Sequence, residues 1–198
     1  MHLAQCCCWI AIGLVMATPS SAYAQKDSLP DIHTLMKQLN DPKTAQPDTL
    51  KKIEGLASKD PRAREYVVQK LPDMIRGPES DVWLDAIQLA GKLKAKEAIP
   101  ALQEAMSRPP FPAEPYLTFA GVERLDTDIV AKTLSQIGDP SIPAAATLLK
   151  SDDAAMRHRA ILILRNIGSP AARKVLKDHL PHETDAEDKK LIEDSLRS

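Results

Sequence analysis

Residues 137–153 read IGDPSIPAAATLLKSDD: a helix end, a proline-marked turn, a short apolar helix and an acidic stop. Nearly the same order returns at 167–178, IGSPAARKVLKD, and Gly138 and Gly168 stand 30 residues apart. A corner written twice at that interval constrains the fold more than any other feature of the chain. A helix pair with one apolar face cannot bury that face alone. Stacked pairs bury each other's, so a repeat of this length predicts a helical solenoid.

The rest of the chain carries the same grammar. Apolar residues recur at helical spacing in 47–58, 61–75, 80–93, 96–106, 126–138, 141–150, 154–168 and 170–180, with short breaks between them. Asp60 and Pro61 are a cap and a first helical residue, while Pro72 is expected to bend or end its helix. Gly91, Gly138 and Gly168 each follow a first helix, where glycine permits the left-handed turn that ends it. Ile99-Pro100, Ile142-Pro143 and Ser169-Pro170 then start the second helices. Aromatics are only 4% of the chain, and the plentiful Ala, Leu and Lys suit helices. The expected fold is all-α: a right-handed α-solenoid of stacked antiparallel helix pairs. Residues 25–46 form a lead-in with a weak capping helix at 31–39, and 47–180 hold the repeats. Residues 181–198 form a linker and a final helix, polar on most sides.

The first 24 residues stand apart. CCCWIAIGLVMA is an apolar run too short to span a bilayer comfortably, and Ala22-Tyr23-Ala24 has the small-residue spacing that signal peptidase reads. Residues 1–24 are therefore expected to be a signal peptide, and the mature protein to be periplasmic or secreted. The start lacks Lys and Arg, which departs from the usual pattern. Cys6, Cys7 and Cys8 all lie in this leader, so the mature chain is expected to have no disulfide, thiolate metal site or cysteine nucleophile.

The step from Gly91 to Gly138 is 47 residues, and the excess is carried by SRPPFPAEPYLTFAG, an insert at 107–121. Three of the five aromatics beyond the leader, Phe111, Tyr116 and Phe119, fall in it beside Pro109, Pro110, Pro112 and Pro115. Prolines stiffen a loop, and aromatics on a stiff loop suit an interface. Equally, they plug the seam between two repeats. Phe111 and Tyr116 are taken as the partner-binding candidates, and Phe119 as buried.

DDAAMRHRAILILRNIGSPAARKVLKDHL, residues 152–180, resembles a HEAT repeat of the short bacterial kind, the phycobilin-lyase HEAT-like type. Asp153, Arg157, Ala160, Leu164, Ile167 and Gly168 fit its pattern; 80–106 and 127–150 fit more loosely, and 47–75 weakly, with Gly55 misplaced. The resemblance implies a protein-interaction scaffold, since a minority of members are lyases, DNA-glycosylase-like proteins or enzyme subunits. It also implies that Arg157 bonds between neighbouring repeats. Asp152 or Asp153 is the nearby carboxylate expected to pair with it.

Chemistry is sparse. The seven glycines form no phosphate loop, and neither H-E-x-x-H nor G-x-S-x-G occurs. His179, His182, Glu183 and Asp185 are the nearest approach to a metal cluster. Pro181 separates the two histidines from a common rigid frame. His179 at a helix C-terminus followed by a solvated acidic linker is the preferred reading, and no metal or cofactor is expected. Arg157, His158 and Arg159 could grip an anion, but a bridging structural role for Arg157 is favoured. With 27 acidic and 26 basic residues the net charge is -1, which does not point to nucleic acid or to a membrane after signal cleavage. The leading expectation is a monomeric, non-catalytic scaffold. It binds an unknown protein partner through the second-helix surface and the insert. A lyase-type or other enzyme subunit and a nucleic-acid-binding solenoid are the alternatives.

Overall fold

A computed structural model describes residues 29–41, 48–78, 81–108 and 128–197. The leader, the insert aromatics Phe111, Tyr116 and Phe119, and residues 109–127 as a whole lie outside the described residues. Those that are described form ten α-helices and no strand. They are α1 (Leu29–Leu39), α2 (Thr49–Lys59), α3 (Pro61–Arg76), α4 (Asp81–Lys92), α5 (Ile99–Ala105), α6 (Ile129–Ile137), α7 (Ile142–Leu148), α8 (Ala154–Ile167), α9 (Pro170–His179) and α10 (Ala186–Arg197). None of them is long and apolar enough to cross a membrane.

The chain is an all-α solenoid. First helices succeed one another as α2, α4, α6, α8 and α10, and second helices as α3, α5, α7 and α9. The apolar stripes meet in one cluster that runs from Ile32 in α1 to Ile192 in α10. Leu164 and Ile163 of α8 are fully buried in it, as the periodicity predicts. Trp83 is the largest buried side chain, and its Nε1 donates to Ile75 O at 2.9 Å. That bond removes the cost of hiding an indole N–H. Asp60 caps α3 where the sequence places it, accepting from Arg62 N at 2.9 Å, and Asp153 also caps α8 by accepting from Ala155 N at 2.9 Å.

Several local expectations are corrected. Pro72 does not end α3, for the helix continues to Arg76. The neighbouring Leu71, Met74 and Ile75 are buried, and that packing outweighs the one amide hydrogen bond a proline removes. Gly91 is not a left-handed terminator. It lies inside α4, fully packed, and a Cβ there would stand 2.2 Å from Gln136 Oε1 of α6. It faces the side chains of Gln136 and Thr133 on α6. The left-handed residue at this corner is Lys94, at φ 47°, with Lys94 N bonded to Gly91 O and Ala95 N to Ala90 O. Those two bonds are the paired closure of a Schellman corner, with lysine where glycine is usual. Gly138 and Gly168 do take positive φ, 87° and 64°.

α10 is polar on most sides, as its sequence reads, with one buried stripe. Ile192 is fully buried, and Asp188 and Ser195 are nearly so. The helix packs on α8 and α9 in the position of a first helix, and its outer face is charged.

Candidate functional site

The first turns of α8 present Arg157, His158 and Arg159 in succession. Consecutive helical residues point about 100° apart, so three neighbours reach three different elements.

Arg157 turns toward the C-terminal linker. Its Nη1 donates to Ser151 O and Asp152 O, both at 3.1 Å, and its Nε and Nη2 approach Glu183 at 3.4 and 3.5 Å. It bridges to the next repeat unit, as the resemblance implies. Its carboxylate partner, however, is Glu183 and not Asp152 or Asp153. Asp153 is spent on capping α8, and Asp152 offers its backbone carbonyl.

Glu183 is only 2% exposed. It therefore does not belong to a solvated linker. Oε1 accepts from Thr184 N at 2.8 Å and Asp185 N at 3.0 Å, and Oε2 lies 3.0 Å from His179 Nε2. Burial pushes its carboxyl up. The bonds from Asp185 N, His179, Thr184 N and Arg157 together outweigh that and pull it down to about 2. His179 thus meets a carboxylate as well as a helix end. His182 is exposed, and Asp185 caps α10 by accepting from Glu187 N and Asp188 N at 2.9 and 3.0 Å. Of the four residues considered as a metal cluster, His179 and Glu183 bond to each other, Asp185 caps α10, and His182 is exposed. Among the described residues no three His, Asp or Glu side chains converge as a ligand set.

His158 Nδ1 contacts Asp188 of α10, whose carboxyl is raised above its ordinary range, chiefly by burial and against the lowering influence of His158. Arg159 points the other way. Its Nε donates to Asp128 Oδ2 and its Nη1 to Met106 O. Asp128 also caps α6 by accepting from Ala131 N at 3.0 Å. Arg159 is only 9% exposed, and its Nη2 has no hydrogen-bond partner among the described residues.

Beside this network lies a groove of about 560 Å³ between α7 and α9. Its apolar wall is Ala146, Leu149 and Val175, and its polar margin includes Lys150, Asp178 and His179. Arg157 reaches it from below. Ligand pockets of ordinary size fall in this range. Asp178 is engaged by Lys174 at 2.6 Å, so the polar groups around the groove are largely paired.

Asp188 and Asp128 were not singled out by sequence reasoning, and Glu183 and Arg159 were named only for a metal cluster and an anion grip, not for the ties they make. A signal existed in the spacing. Glu183 lies 26 residues after Arg157, Asp188 30 after His158, and Asp128 31 before Arg159, each close to one repeat.

Residues 128–197, which hold α6–α10, match the family described as HEAT repeats. No curated protein matches the chain. Among solved structures, a crystal structure of an engineered protein from the Northeast Structural Genomics Consortium is 21% identical. The alignment covers 82% of this chain and 76% of that one at a TM-score of 0.40.

Proposed function

We propose that this solenoid with HEAT repeats in its C-terminal third is a non-catalytic scaffold that binds another protein. On this reading it is exported after removal of residues 1–24, works as a monomer in the periplasm or outside the cell, and belongs to the phycobilin-lyase HEAT-like type. The observation that carries the reading is the groove between α7 and α9, which lies in the layer of second helices. Its apolar wall suits a partner side chain, and the ionic groups behind it already hold α8, α9 and α10 together. Phe111 and Tyr116 in the insert are proposed as a second contact, because rigid aromatic anchors dominate interfaces.

The test is capture from the periplasm or culture medium with matched baits. Val175→Glu places a charge on the groove wall, and a Phe111→Ser, Tyr116→Ser double variant strips the insert. A partner recovered by the wild type and lost by at least one variant, at unchanged melting temperature, supports the scaffold. Retention by both variants rejects these surfaces.

One observation favours a second reading, an enzyme subunit. His179 lines the groove with the buried Glu183 carboxylate behind it, the arrangement that orients a histidine base. On that reading His179→Gln abolishes a turnover that Val175→Ala leaves intact. On the scaffold reading there is no turnover to abolish.

A further inference from the structure

Arg159 is an expensive residue to place where it is. A guanidinium that is 91% hidden, with one nitrogen lacking an acceptor among the described residues, pays heavily in desolvation, and an apolar side chain of similar volume would fill the space. What it achieves is geometric. Through Nη1 it holds Met106 O, two residues before Arg108, where the chain leaves the described stack. Through Nε it holds Asp128, where the chain rejoins it. Two nitrogens of one planar group therefore fix both points. The departing end is held a second time: Arg108 Nη1 donates to Gly77 O at 2.9 Å and Nη2 to Arg76 O at 3.1 Å, using carbonyls at the end of α3. The rejoining end is stiffened by the cap that Asp128 gives α6.

We propose that Arg159 is a root clamp: its single guanidinium ties the exit of the chain after Met106 to its return at Asp128, with Arg108 as the outer anchor. The roots of residues 109–127 are then set by the stack itself and not by the composition of the intervening chain. A long segment between two repeats is tolerated in a solenoid only if its ends stay compatible with the packing on either side. The clamp meets that requirement and decouples the segment from the fold. This goes beyond the scaffold reading and needs no partner to be tested.

Native-state digestion with chymotrypsin, with fragments identified by mass, reads the clamp directly. Cleavage at Tyr116 and Phe119 reports the segment, and cleavage at Tyr66 and Trp83 reports unfolding of the stack. Asp128→Asn keeps an oxygen to cap α6 but loses the ionic tie. Arg159→Met keeps the bulk and loses both bonds, and Arg159→Lys retains one donor. We expect cleavage within 109–127 to rise about tenfold more than cleavage at Tyr66 or Trp83 in Asp128→Asn and in Arg159→Met, with partial restoration in Arg159→Lys. If Arg159→Met does not fold, Asp128→Asn and Arg108→Met carry the test at the two ends separately. Unchanged cleavage in both overturns the proposal. So does cleavage that rises in parallel at Tyr66 and Trp83, which would make Arg159 a general stabiliser.

Discussion

The two halves of the solenoid solve the same problem with opposite materials. In both, a basic side chain reaches a carboxylate in a neighbouring repeat unit. In the N-terminal half these pairs stand in water: Lys92–Glu54 at 2.6 Å and Arg76–Glu104 at 2.8 Å, with every side chain at least 36% exposed. In the C-terminal half they are inside: Arg159–Asp128, Arg157–Glu183 and His158–Asp188, with the carboxylates at most 6% exposed. The N-terminal half compensates with larger apolar residues, among them Trp83, Leu71 and Met106. In the C-terminal half the residues that α7 buries are Ala144 and Ala145, so its second-helix layer offers little apolar bulk. Thin helices leave room for buried charge, and buried charge has to be paired.

The largest test of that contrast is Glu183→Ala. It strands the Arg157 guanidinium, His179 and two backbone amides at once. We expect a loss of about 3–5 kcal/mol in urea unfolding, the size found when one partner of a buried pair is removed. A loss under about 1 kcal/mol would mean that the C-terminal network is no stronger than the exposed pairs, and the comparison would collapse.

Acid provides the next largest effect. The folded Glu183 carboxyl sits at about 2 against an ordinary 4.5, so its stabilisation is complete above pH 4.5 and is lost as pH falls toward 2. Solvent near Thr184 and Asp185 screens part of it, leaving about 2 kcal/mol in play. Asp188 acts with the opposite sign. Its raised carboxyl binds a proton more readily in the fold than in the unfolded chain, so it offsets some of the loss. Unfolding curves between pH 6 and pH 2.5 should therefore show a fall that Glu183→Gln flattens and Asp188→Asn steepens. Equal slopes in all three proteins would remove Glu183 as the cause.

How much of this was legible beforehand differs by the kind of signal. Repeat spacing and helical periodicity are local, and they located the stack, its cap at Asp60, and the core position of Leu164. Gly91 misled because a glycine near a helix end has two uses, a left-handed turn or a close approach, and only the neighbouring helix distinguishes them. Glu183 misled for a related reason. In HETDAED it reads as one more solvated acid, and it becomes a buried hub only because α10 folds back on α8 and α9. The insert aromatics Phe111, Tyr116 and Phe119 lie outside the described residues, so their roles rest on the capture and digestion experiments.

The corner at Lys94 gives a smaller effect and sharpens the comparison from the backbone side. The equivalent corners in the C-terminal half use Gly138 and Gly168 at positive φ, whereas the N-terminal half forces a lysine to φ 47°. Lys94→Gly should stabilise the chain by about 0.5–1 kcal/mol, the relief of left-handed strain less the added freedom of the unfolded chain. A rise of a few degrees in melting temperature is the expected reading, and a fall would show that the Lys94 side chain makes a contact worth more than the strain.

The smallest expected effect closes the comparison from its exposed end. Arg76 and Glu104 form a two-pronged pair at 2.8 and 3.0 Å, the same geometry that Arg157 makes with Glu183 but shorter. Distance alone would rank it the stronger. Both groups are nevertheless in water, which solvates each charge in the unfolded chain as well as in the fold, and added salt screens what remains. The side-chain bond raises the Arg76 guanidinium and lowers the Glu104 carboxyl, so the contact itself is favourable. What it lacks is the penalty that follows when one partner is removed, because water takes the vacant place. Glu104→Ala should therefore shift the unfolding midpoint by less than the scatter between repeat measurements, and any residual shift should vanish in molar salt. A loss comparable to that of Glu183→Ala would mean that proximity, not burial, sets the worth of these inter-repeat ties, and would reverse the order of strength argued for the two halves.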